Sequence, residues 1–71
     1  MLLKDALKRT RRAAGKTQKE VAILLGMAER SYQHYELGER IPGIDTLTHL
    51  ADAYNVSLDY LTGRSDDPAR L

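Results

Sequence analysis

Glycine stands at positions 15, 26, 38 and 63, and asparagine at 55. Each closes a short run whose apolar residues recur at helical spacing. Glycine and, less readily, asparagine tolerate the left-handed backbone that terminates a helix. The punctuation therefore cuts the chain into helices too short to hold together alone. No stretch alternates apolar and polar residues as a half-buried strand does. The expected fold is all-α, a compact five-helix bundle in which short helices cover one another's apolar stripes.

The individual helices follow from this pattern. Leu3, Ala6, Leu7, Thr10 and Ala14 mark a first helix, about Leu3 to Ala14, stopped by Gly15. In "TQKE", Thr17 and Glu20 form a capping box that opens a second helix, Gln18 to Leu25, ending at Gly26. Met27 and Ala28 turn the chain into a third, Glu29 to Leu37, stopped by Gly38. After the loop "RIPG", a fourth helix, Ile44 to Tyr54, carries Ile44, Leu47, Leu50, Ala51 and Tyr54 on one stripe. Ser57 caps a fifth, Leu58 to Leu61, closed by Gly63. "RSDDPARL" reads as a polar, proline-containing tail that frays. The expected organisation is one domain over residues 1–64 and a flexible tail over 65–71.

With 71 residues the chain is near the lower size limit for folding alone. It has no cysteine, which excludes disulfides and thiolate metal sites and fits a reducing compartment. The longest apolar run, Val21 to Leu25, is far short of a membrane span, and "MLLKDALKRT" has no signal-peptide core. A soluble cytoplasmic protein without membrane association is expected. The net charge is only +1 but unevenly spread. Residues 1–20 hold seven Lys/Arg against Asp5 and Glu20, whereas residues 41–71 hold five aspartates against Arg64 and Arg70. A basic front suits a polyanion on one side. The chain has no catalytic Ser/His/Asp arrangement and no glycine-rich phosphate loop, and its only histidines are His34 and His49. It does not read as an enzyme and implies no cofactor. Asp45, His49 and Asp52 share a helix face, but that spacing is weak support for a metal, and none is expected.

The second and third helices, joined by a tight turn at a glycine, have the helix-turn-helix pattern. Its close crossing needs a small residue inside the first of the pair, and Ala22 supplies it. Its turn needs a positive φ, available at Gly26. Its wedge needs apolar residues: Val21, Leu25, Met27, Tyr32 and Tyr35. Tyr32 and Tyr35 interleave with charges, as bases stacking on aromatic rings would require. Their three-residue spacing places them instead on the inward face with Leu25 and Met27.

Together "TQ", "LG", "YE-x-GER-x-P", "TL-x-x-LA" and "NVSLDYL-x-GR" make residues Leu3 to Arg64 resemble the phage Cro and lambda-type repressor domain, also called Xre-type. The resemblance implies a sequence-specific double-stranded DNA binder. It would be a homodimer on a palindromic operator and regulate transcription, as a repressor in the first instance. By that resemblance, Glu29, Arg30, Gln33 and His34 lie at or near the base-reading positions, and share one exposed face. Arg30 can bridge guanine O6 and N7, Gln33 can pair with adenine N6 and N7, and Glu29 can accept from cytosine N4. His34 can donate to guanine N7 or a phosphate. Gln18, Lys16, Lys19, Ser31 and Arg40 are the phosphate-contacting candidates. Arg11 and Glu36 match positions that form an ion pair between the first and third helices, a structural role.

Several positions depart from that pattern. Ala28 replaces the usual Ser or Thr cap of the third helix, and Leu37 a frequent asparagine. Thr10 stands where an apolar residue is common. Ile23 and Leu24 make the second helix apolar nearly all round, which implies a second contact surface. Either the C-terminal tail folds back onto it, or a protein partner covers it, or the two are isolated exposed residues of an ordinary kind. Candidate dimer surfaces are the Leu37–Ile44 loop and the fifth helix. The alternative function is a protein-interaction module on the same fold, such as an antitoxin.

Overall fold

A computed structural model describes residues 1–70. Its five helices are α1 (Leu3–Ala13), α2 (Gln18–Leu25), α3 (Glu29–Leu37), α4 (Ile44–Tyr54) and α5 (Leu58–Leu61), and the described residues contain no strand. The fold is the all-α, five-helix arrangement expected, with α1 one residue shorter at its C-terminus. All five helices close in the same way. The amide at the punctuating residue bonds back to the carbonyl three before it, and the next amide to the carbonyl five before it. At Gly26, for example, its own amide donates to Ile23 O (3.1 Å) and the Met27 amide donates to Ala22 O (3.0 Å). This double closure satisfies carbonyls that a helix end otherwise leaves bare, and it requires a left-handed residue. Gly26 adopts φ 68°, and Asn55 does the same work at φ 56°.

The N-terminal ends differ among themselves. At α2 the capping box forms in both directions: Thr17 Oγ1 accepts from the Glu20 amide at 3.0 Å, and Glu20 Oε1 accepts from the Thr17 amide at 2.9 Å. Ser57 Oγ caps α5 through the Tyr60 amide at 3.0 Å. Ala28 leaves α3 without a side-chain cap.

Leu7, Val21, Ala22, Tyr32, Leu47, Leu50, Ala51, Val56 and Leu61 form one buried core to which every helix contributes. Ala22 is fully covered, as its place at the α2–α3 crossing demands. Tyr32 is the largest buried side chain, and its ring meets Tyr35 edge-on at 6.2 Å. Thr10, unusual for a core position, is buried because its hydroxyl donates to Ala6 O at 2.8 Å, leaving its methyl group for packing.

The segment after α5 lies along the body. Arg9 stacks over the Tyr60 ring at 3.8 Å and donates to Tyr60 O, Ser65 O and Asp66. The Ser57 amide donates to Pro68 O at 3.1 Å, and Arg70 donates to Ala51 O and to Asp52 at the end of α4. This course leaves Ile23 and Leu24 uncovered, so the tail is not what hides them. The last residue of the expected flexible tail, Leu71, lies outside the described residues. No helix is long and apolar enough to cross a membrane.

Candidate nucleic-acid interface

The α2–turn–α3 unit is set by what it buries. α3 turns Tyr32 and Glu36 inward, one helical turn apart, and both are within 2% of complete burial. The opposite side therefore carries Glu29 and Arg30, both exposed, with Gln33 and His34 half-buried along its edge. Lys16 and Lys19 at the start of α2 and Arg40 beyond α3 are exposed as well, while Ser31 is half-buried. The reading candidates thus occupy one side of α3, with exposed cations on the elements before and after it.

The inward carboxylate is held by α1. Arg11 Nε donates to Glu36 Oε2 at 2.7 Å and its Nη2 to Oε1 at 3.0 Å, a bidentate pair. Arg11 Nη1 also donates to Lys16 O at 3.0 Å, which ties α1 to the turn before α2. Burial pushes the Glu36 carboxyl upward, but the Arg11 guanidinium and the surrounding donors more than reverse this, and it titrates below its ordinary value. The hydrogen bond to Glu36 likewise raises the already high Arg11 value. The Tyr32 and Tyr54 hydroxyls are buried without a hydrogen bond of good geometry. Burial first, then the nearby Glu36 charge, raises both phenols, that of Tyr54 to about 12. Every titratable group in this cluster keeps its ordinary charge state at neutral pH.

Gln18, a phosphate candidate, is drawn into this cluster. Its Nε2 donates to Glu36 Oε1 at 3.1 Å, and its Oε1 accepts from Gln33 Nε2 at 3.2 Å. Gln33 Nε2 also reaches Glu29 Oε2 at 3.5 Å, the limit for a hydrogen bond. Arg11, Glu36, Gln18, Gln33 and Glu29 consequently form a continuous polar chain from the α1–α3 clasp to the exposed side of α3. His34 is separate: its Nδ1 lies 3.1 Å from Glu39 Oε1, past the end of α3. Glu39, part of the "YE-x-GER-x-P" run, is not among the site residues expected from the sequence; the tight closure at Gly38 places it back beside His34. Asp45 and His49 stand exposed on α4, and Asp52 is engaged by Arg70 at 2.7 Å. Among the described residues no three His, Asp or Glu come together as a metal site would require.

A helix-turn-helix family model, HTH_3, matches residues 7–61. The chain is similar to a cryptic phage CTXphi transcriptional repressor, RstR, of Vibrio cholerae, with 41% identity over 90% of this chain and 57% of that protein. It is 44% identical to the HTH-type transcriptional regulator ImmR of Bacillus subtilis over 93% of this chain and 52% of that one. Among solved structures, a transcriptional regulator from Listeria innocua superposes with a TM-score of 0.79 at 31% identity, covering 86% of this chain and 57% of that one. The chain spans about half the length of the curated relatives it matches.

Proposed function

Because this chain belongs to the HTH_3 helix-turn-helix family, we propose that it is a sequence-specific double-stranded DNA-binding regulator, acting in the cytoplasm as a repressor. The observation that carries this reading is the division of α3. Its inner side is locked by Tyr32 and by Glu36 clasped to Arg11, while its outer side leaves Glu29 and Arg30 exposed at the N-terminal end. A recognition helix uses that end on base edges in the major groove. Arg30 bridges guanine O6 and N7. Lys16, Lys19, Ser31 and Arg40 hold phosphates on either side, and the amide hydrogen that Gln18 does not donate to Glu36 serves the same purpose. His34, drawn toward Glu39, is the weakest of the reading group.

One such domain covers one half-site, so the active species is a homodimer on a palindrome. The Leu37–Ile44 loop is the favoured self-contact, because Leu37, Ile41 and Ile44 are all exposed there, Ile41 by 82%. The test is selection of bound duplexes from a random pool, followed by titration over a salt series. Log affinity should fall steeply against log salt, by about 0.9 for each phosphate neutralised. Arg30→Ala should abolish a guanine preference in each half-site. A flat salt response would overturn the reading.

One observation favours an additional protein contact. Ile23, 69% exposed, and Leu24, 44% exposed, line a groove with Val21, Ala53 and Tyr54, bordered by Lys16 and Glu20. An apolar partner face would cover it, as in an antitoxin-type module. Replacing Ile23 and Leu24 with lysine should weaken partner capture without lowering DNA affinity. Unchanged association would remove this second reading.

A further inference from the structure

The polar chain that reaches Gln33 has a direction. At its inner end stands Glu36, a carboxylate whose ionised form is favoured and which therefore only accepts. Gln18 must turn its NH2 group toward Glu36, and does so at 3.1 Å. That leaves Gln18 Oε1 facing Gln33, so Gln33 must in turn present its NH2 group, at 3.2 Å. The second Gln33 amide hydrogen faces Glu29, another acceptor, at 3.5 Å. The orientation of both side-chain amides follows from carboxylates at the two ends of the relay. Gln33 is left with its Oε1 free: this atom takes no hydrogen bond within the described residues and is not among the buried unpartnered atoms.

We infer that Gln18 and Glu29 hold Gln33 as an acceptor-only reader, specific for the exocyclic amino group of a base in the major groove. This rests on the DNA-binding reading of α3 and deepens it. A free glutamine amide pairs with adenine alone by using donor and acceptor together on N7 and N6. Here the donor half is already occupied. The remaining oxygen bonds equally to adenine N6 and to cytosine N4. It meets only acceptors on guanine, O6 and N7, and the O4 acceptor of thymine. The position it faces is therefore read as amino against keto base, not as one base against three. Gln18 is a positioning residue in this scheme, acting through Gln33.

The test uses the whole chain and a pool of randomised duplexes, then competition at fixed salt among four duplexes differing at a single position. One position in each half-site should accept A and C on the same strand about equally and disfavour G and T by roughly tenfold, the worth of one hydrogen bond against an unpaired acceptor. Gln33→Ala should flatten that position and leave the other positions as they were. Gln18→Leu removes the shorter of the two contacts that orient the Gln33 amide, leaving only Glu29 at 3.5 Å, and should admit G or T there. Should Gln18→Leu fail to fold, the wild-type profile and Gln33→Ala still decide. A position read by Gln33 that accepts adenine only, or prefers guanine, overturns the inference while leaving DNA binding intact. So does a Gln33→Ala profile identical to wild type. Failure to enrich any sequence overturns the DNA reading beneath it.

Discussion

Replacing Arg11 with alanine separates a structural charge from a DNA-contacting one. Arg11 makes two charged hydrogen bonds to Glu36, at 2.7 and 3.0 Å, and one to Lys16 O at 3.0 Å. The Glu36 side chain is 2% exposed and that of Arg11 12%. Removing the cation strands a carboxylate away from water, with only Gln18 still donating to it at good geometry. Breaking one side of a buried pair costs about 3–5 kcal/mol. The partial exposure of Arg11 puts this case at the lower end, about 3 kcal/mol. In a domain of this size each kcal/mol lowers the midpoint by about 4–8 °C, so Arg11→Ala should melt some 12–24 °C below wild type.

The pH dependence checks the cause. In wild type the Glu36 carboxyl titrates below its ordinary 4.5, so the pair's contribution is present above that pH and is lost as the pH falls through the folded-state value. In Arg11→Ala the opposing guanidinium is gone and burial raises the same carboxyl. The variant then gains stability relative to neutral pH as it takes up a proton. The two melting curves should approach each other below about pH 4.5, leaving a residual gap of about 1 kcal/mol for the lost bond to Lys16. Adding Glu36→Gln to Arg11→Ala should recover most of the loss at neutral pH. Thermal melts followed by circular dichroism from pH 3 to 8 measure all of this. Wild-type melting of Arg11→Ala together with lost DNA affinity would refute the reasoning and make Arg11 a DNA contact.

Other perturbations test the remaining parts of the fold. Ala28 sits at the N-cap of α3 with extended dihedrals, φ −67° and ψ 147°, but has no side chain to cap with. Ala28→Ser should add about 0.5–2 kcal/mol of stability, seen as a raised melting midpoint. Gly63 has φ 86°, and the Met1 backbone passes so close that an added Cβ would meet the Met1 carbonyl oxygen. Gly63→Ala should therefore destabilise by more than the roughly 1 kcal/mol of left-handed strain alone and release the Met1 ammonium from Gly63 O, a change visible in the chemical shift of Met1. The Ser57 amide, which donates to Pro68 O, should exchange more slowly than the exposed amides of Ile41 and Gly43, for which no hydrogen bond forms among the described residues. Arg9→Ala should abolish that protection, and equal exchange in wild type would instead support the flexible tail expected from composition.

The parts of this structure legible in the sequence are those decided locally. Helix ends at Gly26, Gly38 and Asn55 follow from backbone sterics at one residue, and the cap at Thr17 from a partner three residues away. The inward turn of Tyr32 follows from helical spacing within the wedge. What escaped depends on convergence of distant residues. Nothing near Arg9 in the chain announces that it will stack on Tyr60, fifty-one positions on, and anchor the following segment. From the sequence Gln18 is a phosphate-contacting candidate at a helix start. Only when α1 brings Arg11 to Glu36 does a buried acceptor exist for Gln18 to face.

That last dependence joins stability to recognition. The polarity of the Gln18–Gln33 relay originates in the ionised state of Glu36, which Arg11 maintains. A protonated Glu36 can donate, and Gln18 can then turn its oxygen inward and its NH2 group toward Gln33. Only the long contact to Glu29, at 3.5 Å, would then oppose reversal of Gln33, which could present donors to the groove. On the proposed reading of Gln33, charge at the centre of the bundle is coupled to base preference at its surface through two amides. A variant that neutralises Glu36 should change which bases are read even where the fold survives it.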